Sequence, residues 1–288
     1  MTSSPASAAR NARRFVAPSV IPGFRLTFGY TLFYLSLIVL FPLATLIWRA
    51  SDLGVSGFTK ILAEPRVTAA LQTTFTLSFC AAVIDLVFGL VVAWVLTRYS
   101  FPFRRMIDAF VDLPFALPTA VAGISLAALY APNGLFGAPL AGLGVKIAYT
   151  RWGILVALVF IGLPFVVRTV QPIIAELEIE LEEASATLGA SRLQTIVNVL
   201  LPPLLPALLT GFALAFARAI GEYGSVIFIA GNIAYVSEIA PLLIVIKLEQ
   251  YDFAGATGIA AIMLAISFVA LLAINLIQAW SRRRFGHV

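Results

Sequence analysis

Histidine and cysteine are almost absent: the 288 residues hold one of each, His287 next to the C-terminal residue and Cys80 inside an apolar run. A zinc-protease helix needs two histidines and a serine nucleophile needs a histidine base, so a His/Cys metal centre and a Ser-His catalyst are excluded by count. One cysteine forms no intramolecular disulfide and leaves the redox compartment open. Lysine is scarce too. Lys60, Lys146 and Lys247 are followed by Ile61, Ile147 and Leu248. No Gly-Lys-Ser/Thr phosphate loop exists, and the chain does not hydrolyse nucleotide by that route. A basic run with interleaved aromatics, the signature of nucleic-acid binding, is missing outside the two termini.

Charge is the largest shortfall. Only 11% of residues are charged and 61% are hydrophobic, against about 25% charged in an ordinary soluble domain. With a mean hydropathy of +1.00, there are more apolar side chains than one globular core can hide, so lipid must solvate much of the surface. The chain reads as an integral membrane protein.

A bilayer core about 30 Å thick needs about 20 mostly apolar residues rising 1.5 Å each. Six runs qualify: Phe28 to Trp48, Ala70 to Leu96, Ile107 to Tyr130, Gly153 to Ile174, Leu204 to Ala230 and Phe253 to Trp280. The expected fold is all-α with six transmembrane helices. Residues 1–27 read as a cytoplasmic tail, 28–288 as a single transmembrane domain, and 281–288 as a short basic C-terminal tail. The Arg13-Arg14 pair precedes the first run by more than ten residues, and that run is long enough to span. It therefore reads as an uncleaved anchor and not as a twin-arginine export signal.

Basic side chains near span ends stay cytoplasmic. With the N-terminus inside, the inner side carries Arg10, Arg13, Arg14, Arg25, Arg98, Arg104, Arg105, Arg168, Arg192, Arg282, Arg283 and Arg284. The outer side carries Arg49, Lys60, Arg66, Lys146, Arg151 and Lys247, and Arg218 falls within a span. Twelve against six predicts both termini inside.

The inner segment Ala175 to Pro202 carries the most information. Leu177, Leu181, Ala184 and Leu188 recur at helical steps and share one face, while Glu176, Glu178, Glu180, Glu182 and Glu183 crowd the remainder. Gly189 stops this helix, Ser191 caps the next, and Leu201-Pro202-Pro203 closes the unit. Five glutamates with no lysine to offset them repel an anionic inner leaflet. A solvated face explains the glutamates but not the defined break. An apolar stripe flanked by carboxylates suits a groove on another protein.

Glu183-Ala184-Ser185, Gly189, Val199 and Leu201-Pro202 match the spacing of the EAA signature: Glu-Ala-Ala, three residues, Gly, nine residues, Ile, one residue, Leu-Pro. The segment resembles the coupling helix of permease subunits of ABC importers. Ser185 stands where the signature has alanine and Val199 where it has isoleucine. The resemblance runs along essentially the whole chain. DLPFALPTAVAG at 112–123, PFVVRTVQP at 164–172 and RAIGEYG at 218–224 look like the oxyanion branch, and VIFIAGNIA at 226–234 is most similar to the T subunit of sulfate/thiosulfate importers. Molybdate permeases share the 218–224 stretch and are the near alternative. The paired W subunit is a further one.

That resemblance implies a multi-pass permease of the bacterial cytoplasmic (inner) membrane and no enzyme. A second permease subunit would complete the path, two copies of an ATPase would bind ATP and magnesium, and an external binding protein would deliver sulfate or thiosulfate. This chain itself would hold no cofactor. The implied ATPase-coupling residues are Glu182, Glu183, Ala184, Leu188, Gly189, Leu201 and Pro202. Glu183 would be the acidic docking residue and Gly189 the turn.

The physical candidates for the path or gate are Asp85, Pro114, Pro118, Thr119, Arg218, Glu222 and Tyr223. Pro114 and Pro118 lack an N–H, so the third span should bend and expose polar backbone. Such backbone is tolerated at membrane depth only where protein or water satisfies it, although a kink in a packed bundle is the plain alternative. Arg218 and Glu222, four apart, share a helical face and can pair. Each alone costs about 2.5 to 3.5 kcal/mol at the bilayer centre. Structural or gate pairing competes with direct oxyanion contact. Asp85 pairs with Arg218 or another basic group, or stays protonated. Gly221 and Gly224 flank Tyr223 and allow flexibility or close packing. The outer segment Glu238 to Gln250 reads as a short interfacial helix, a landing place for a binding protein or a cover over the spans. A proton-coupled secondary transporter relaying through Asp85, Arg218 and Glu222 is the rival of a different class.

Overall fold

The computed structural model of the chain describes residues 23–285, with backbone alone for Arg25 and residues 281–285. Arg10, Arg13 and Arg14 of the expected N-terminal tail lie outside the described residues, as does His287. Among the described residues all regular structure is helical.

Two units divide after Arg49. In the first, α1 (Phe24–Leu35) passes through a π turn, Ser36–Leu40, into α2 (Phe41–Ser51). Leu26, Phe33, Phe41 and Ile47 are all exposed. A helix that is apolar all round and left unburied by its own unit is one that lipid or another protein covers.

The second unit begins with α3 (Gly54–Ala63) and the 34-residue α4 (Pro65–Arg98). Glu64 is extended and Pro65 starts α4, as expected where a proline's missing N–H would be orphaned anyway. Four short helices between residues 104 and 142 precede α9 (Arg151–Glu176), α10 (Ile179–Thr187) and α11 (Arg192–Thr195). A π turn, Ile196–Leu200, joins α11 to α12 (Leu201–Ile220). The described residues end with α13 (Val226–Ile229), α14 (Ala240–Glu249) and α15 (Phe253–Phe285).

α4, α9 and α12 form the core around Val166, which is fully buried. Gly89 of α4 and Gly211 of α12 both face it, and a Cβ on Gly211 would lie 2.9 Å from the Val166 Cα. Small residues at such crossings let backbones approach closely where lipid offers no hydrophobic driving force.

Among the described residues five helical stretches are long and apolar enough to cross a membrane: Leu26–Ser51, Pro65–Arg98, Arg151–Glu176, Arg192–Ile220 and Phe253–Trp280. The third expected span, Ile107 to Tyr130, departs from a single helix. It is α5 (Arg104–Val111), α6 (Leu113–Ala116) and α7 (Thr119–Tyr130). Leu117 and Pro118 are extended, with ψ 135 and ψ 131. The residue before a proline is pushed out of the α region, and Pro118 then serves as the start of α7. The expected bend is therefore a full interruption, and the 12 residues of α7 rise only about 18 Å.

The broken segment still runs the length of α9. At one end, Arg168 donates from Nε and Nη2 to the two carboxylate oxygens of Asp112 (2.7 Å each) and from Nη1 to Asp108 (2.7 Å). At the other end, Gly123 of α7 lies against Ser225, and α13 accepts at the Ile229 carbonyl from the Tyr149 amide just before α9 (2.7 Å). The short α8 (Gly137–Gly142) follows in the return loop. Arg168→Lys keeps the charge but loses the two-pronged grip, so a loss of about 1–3 kcal/mol is expected. It is read as a lower melting temperature of the purified protein, and an unchanged melting temperature would contradict the pinning role.

The fifth expected span, Leu204 to Ala230, is displaced toward the N-terminus. The helix enters at Arg192 and stops at Ile220. Leu201-Pro202-Pro203 does not close the preceding unit but lies inside this stretch. Pro202, Pro203 and Pro206 supply no N–H to the preceding turn, and the π turn at Ile196–Leu200 sits where the helix adjusts to that gap. The expected outer helix is present as α14 with Pro241 in its first turn, and Leu242 and Leu243 are buried, so it packs over the bundle. Beside it, Lys247 bridges Glu64 (3.3 Å) and Asp252 (3.2 Å). The Gly255 amide, aided by Lys247 against the effect of burial, holds the Asp252 carboxyl below its ordinary range.

Candidate functional site

The inner segment is built in three pieces. α9 carries on to Glu176, Leu177 and Glu178 are extended, and α10 begins at Ile179. The expected stripe is therefore interrupted. Leu177 sits outside α10 and packs against the core, while Leu181, Ala184 and Leu188 stay exposed. Arg98, at the end of α4, fixes the break: its Nη2 donates to the Leu177 carbonyl (2.9 Å) and lies 3.3 Å from Glu182 Oε1. Glu182 is thus turned inward onto Arg98, and Glu183 faces out.

Gly189 has φ +82 and open space around it, so its glycine is required by the left-handed backbone and not by crowding. Ser191 then caps α11 in a reciprocal capping box with Gln194. Ser185, the departure from the EAA signature, is buried, and its hydroxyl meets that of Thr195 at 2.7 Å. This bond ties α10 to α11, which explains why serine is accommodated where the signature has alanine. The result is a rigid elbow whose free face offers Glu183, Ala184 and Leu188. Leu188, at the tip, is 88% exposed. Val199, Leu201 and Pro202 lie behind it in the following helix and not on the free face.

A second cluster forms where α12 ends. Gly221 stops the helix, so Glu222 lies in the turn beyond it. Arg218 reaches Glu222 Oε2 at 2.6 Å, as the spacing predicts. The other oxygen, Oε1, accepts from the Ser225 amide (2.9 Å) and hydroxyl (3.0 Å). Glu222 is therefore fully engaged, buried, and part of the turn's own framework. Gly224 abuts the Thr119 hydroxyl, and Tyr223 is half-buried against a buried cluster that includes Ala127, Ile154, Ala219 and Val226. The structure so brings Thr119, Arg218, Glu222 and Tyr223 together, next to the Leu117-Pro118 break. Pro114 lies one short helix away, in α6.

Asp85 stands apart from them. It is 1% exposed, packed against Gly162 and near Ala215, and neither carboxylate oxygen has a hydrogen-bond partner. Among the described residues no ion pair joins it to Arg218 or to another basic group, so of the alternatives open for Asp85 the two paired ones are not found. Among the described residues Asp85 makes no direct hydrogen bond to Arg218 or Glu222. Ser225, Arg98 and Asp108 are structural partners that lie outside the motifs, and Asp112 and Arg168 fall within two of them without their pairing being readable there. The i, i+4 spacing of Asp108 and Asp112 was the one available signal, and their common partner lies 56 to 60 residues away.

Residues 85–287 match the family described as the binding-protein-dependent transport system inner membrane component. The chain belongs to that family. It is a membrane permease component and not the hydrolytic subunit. A sulfate transport system permease protein CysT of Synechococcus elongatus is 51% identical over 257 residues, covering 89% of this chain and 92% of the relative. The protein of the same name from Escherichia coli is 47% identical over 269 residues, covering 93% and 97%. Among solved structures, a chain of a bacterial alginate ABC transporter in complex with a pentasaccharide-bound periplasmic protein superposes with a TM-score of 0.72. That match has 17% identity, with 92% of this chain and 95% of that one covered. At that identity the likeness speaks to the fold.

Proposed function

We propose that this chain is a permease subunit of an ATP-driven importer of sulfate or thiosulfate. It would form the path with a second permease, be driven by two copies of an ATPase that hold the ATP and magnesium, and receive cargo from an external binding protein. Sequence identity near half over most of the chain to sulfate permeases supports the cargo. The observation that carries the coupling role is the elbow at α10: a free Glu183-Ala184 face and an exposed Leu188 next to a left-handed Gly189, braced from behind by Arg98 and Thr195.

In this reading the broken α5 to α7 segment is the sixth crossing and both termini are cytoplasmic, which agrees with the twelve-to-six division of basic residues. Nucleotide closes the ATPase dimer and moves the elbows together. The elbow continues directly into the Arg192–Ile220 helix, which stops two residues before Glu222 and beside the Leu117-Pro118 break, so motion at the elbow reaches the gate without a separate linker. Arg218 is neutralised by Glu222 and acts there as a gate strut; cargo selectivity resides chiefly in the binding protein.

Uptake of labelled sulfate by cells carrying the importer, in competition with unlabelled thiosulfate and molybdate, tests the cargo. Thiosulfate is expected to compete and molybdate to compete weakly. Molybdate uptake that sulfate does not inhibit would overturn it.

A further inference from the structure

At the end of the bundle opposite the elbow, the first turns of α4 and the start of α9 flank a partly open cavity of about 180 Å³, with Arg151 exposed at its edge. Gln72, Thr73 and Thr76 line it from one face of α4, and Arg151 and Tyr235 close it. Ala69 and Leu77 complete the wall, so the lining sets a guanidinium, two hydroxyls, a carboxamide and a phenol beside an apolar patch, with no carboxylate. Thr73 is 6% exposed, so its place in the wall is set by packing.

The charge of Arg151 is not cancelled. Its Nε donates to the Val236 carbonyl and its Nη2 to the Tyr235 carbonyl (3.3 Å), while Nη1 is uncommitted. Among the described residues Arg151 makes no ion pair. Glu238, the acid nearest in sequence to Tyr235 and Val236, has both oxygens occupied by Arg66 (2.7 and 2.8 Å). Two neutral carbonyls orient the guanidinium without offsetting it. A fixed cation ringed by neutral donors is complementary to a tetrahedral oxyanion. One charge with neutral partners also holds a dianion loosely enough to pass it on. By contrast, Arg218 spends its charge on Glu222.

We propose that this cavity is a transient oxyanion site at the outer mouth of the path, where Arg151 supplies the charge and Gln72, Thr73, Thr76 and Tyr235 the neutral contacts. It rests on the oxyanion-importer reading above. Anion released by the binding protein would be retained here instead of returning outward, so the site governs how many turnovers deliver cargo.

The test uses the complete importer in liposomes with loaded binding protein, and reads oxyanion uptake and ATP hydrolysis together. Losing a charged hydrogen bond lowers site occupancy about tenfold or more, and losing a neutral one about threefold. Arg151→Gln is therefore expected to cut uptake about tenfold at unchanged ATPase rate, raising the ATP spent per anion. Arg151→Lys should recover part of the uptake. Thr76→Val, which leaves the carbonyl tethers alone, should cut uptake about threefold. If uptake and hydrolysis are both unchanged in Arg151→Gln, or fall together, Arg151 is no anion contact and the site is overturned. A wild-type importer that carries none of sulfate, thiosulfate and molybdate overturns the cargo reading, and this site with it.

Discussion

Leu188→Asp is expected to reduce ATP-driven uptake about thirtyfold or more while leaving the melting temperature of the permease where it was. The two halves of this result follow from one fact, that Leu188 is 88% exposed at the tip of the elbow. A side chain that touches little of its own protein contributes little to folding, and surface replacements of that kind usually stay within about 0.5 kcal/mol. An apolar anchor seated in a partner's pocket costs about 2 kcal/mol or more when removed, and a decade of affinity is about 1.4 kcal/mol. Aspartate adds a charge that would be desolvated on docking. Paired measurements of uptake and thermal unfolding separate the two; full uptake would place the ATPase contact elsewhere on the chain. Glu182→Ala is a useful contrast, because Glu182 is bound to Arg98 and its loss acts through the brace.

Gly123→Val is expected to have the largest effect on the fold itself, about 3 kcal/mol of destabilisation. A Cβ at Gly123 would meet the Ser225 carbonyl oxygen and lie 2.6 Å from the Ser225 Cα and 2.8 Å from its carbonyl carbon. These are backbone atoms, and Ser225 is held on its other side by Glu222. Neither partner can step aside cheaply, which places the substitution at the severe end of overpacking. Val121, in the same helix but exposed, is the control: Val121→Ala should leave stability within about 0.5 kcal/mol. Thermal unfolding of the two variants in detergent checks this. Equal stability would mean that α7 does not meet the 222–225 turn.

The sequence pattern made the long helices legible because length and hydropathy carry that signal directly. Pro65–Arg98 and Arg151–Glu176 differ from the expected runs only at their ends. The third run misled for a definite reason: both sides of Leu117-Pro118 are apolar, so hydropathy averages smoothly across an extended break. Gly221 had the same effect on the fifth, where the apolar residues 226–230 continue past a helix that has already stopped. Within the sites, the local pair Arg218 and Glu222 was readable from a four-residue spacing. The second role of Glu222, capping Ser225, was not, since it depends on the chain turning back. Leu177 fitted the elbow's periodicity but was drawn out of register by Arg98, a contact 79 residues away. Arg151 carried no motif at all, and only the cavity between α4 and α9 gives it a role.

Coupling to an ATPase through the elbow is tested most directly by one reconstitution. Labelled sulfate uptake is measured in liposomes holding this permease, its partner permease and the ATPase, with loaded binding protein on the far side from ATP. The measurement is made with and without nucleotide and with the proton gradient imposed or collapsed. The predicted result is uptake that requires ATP and is indifferent to the gradient. Uptake that persists without ATP and follows the gradient would contradict it.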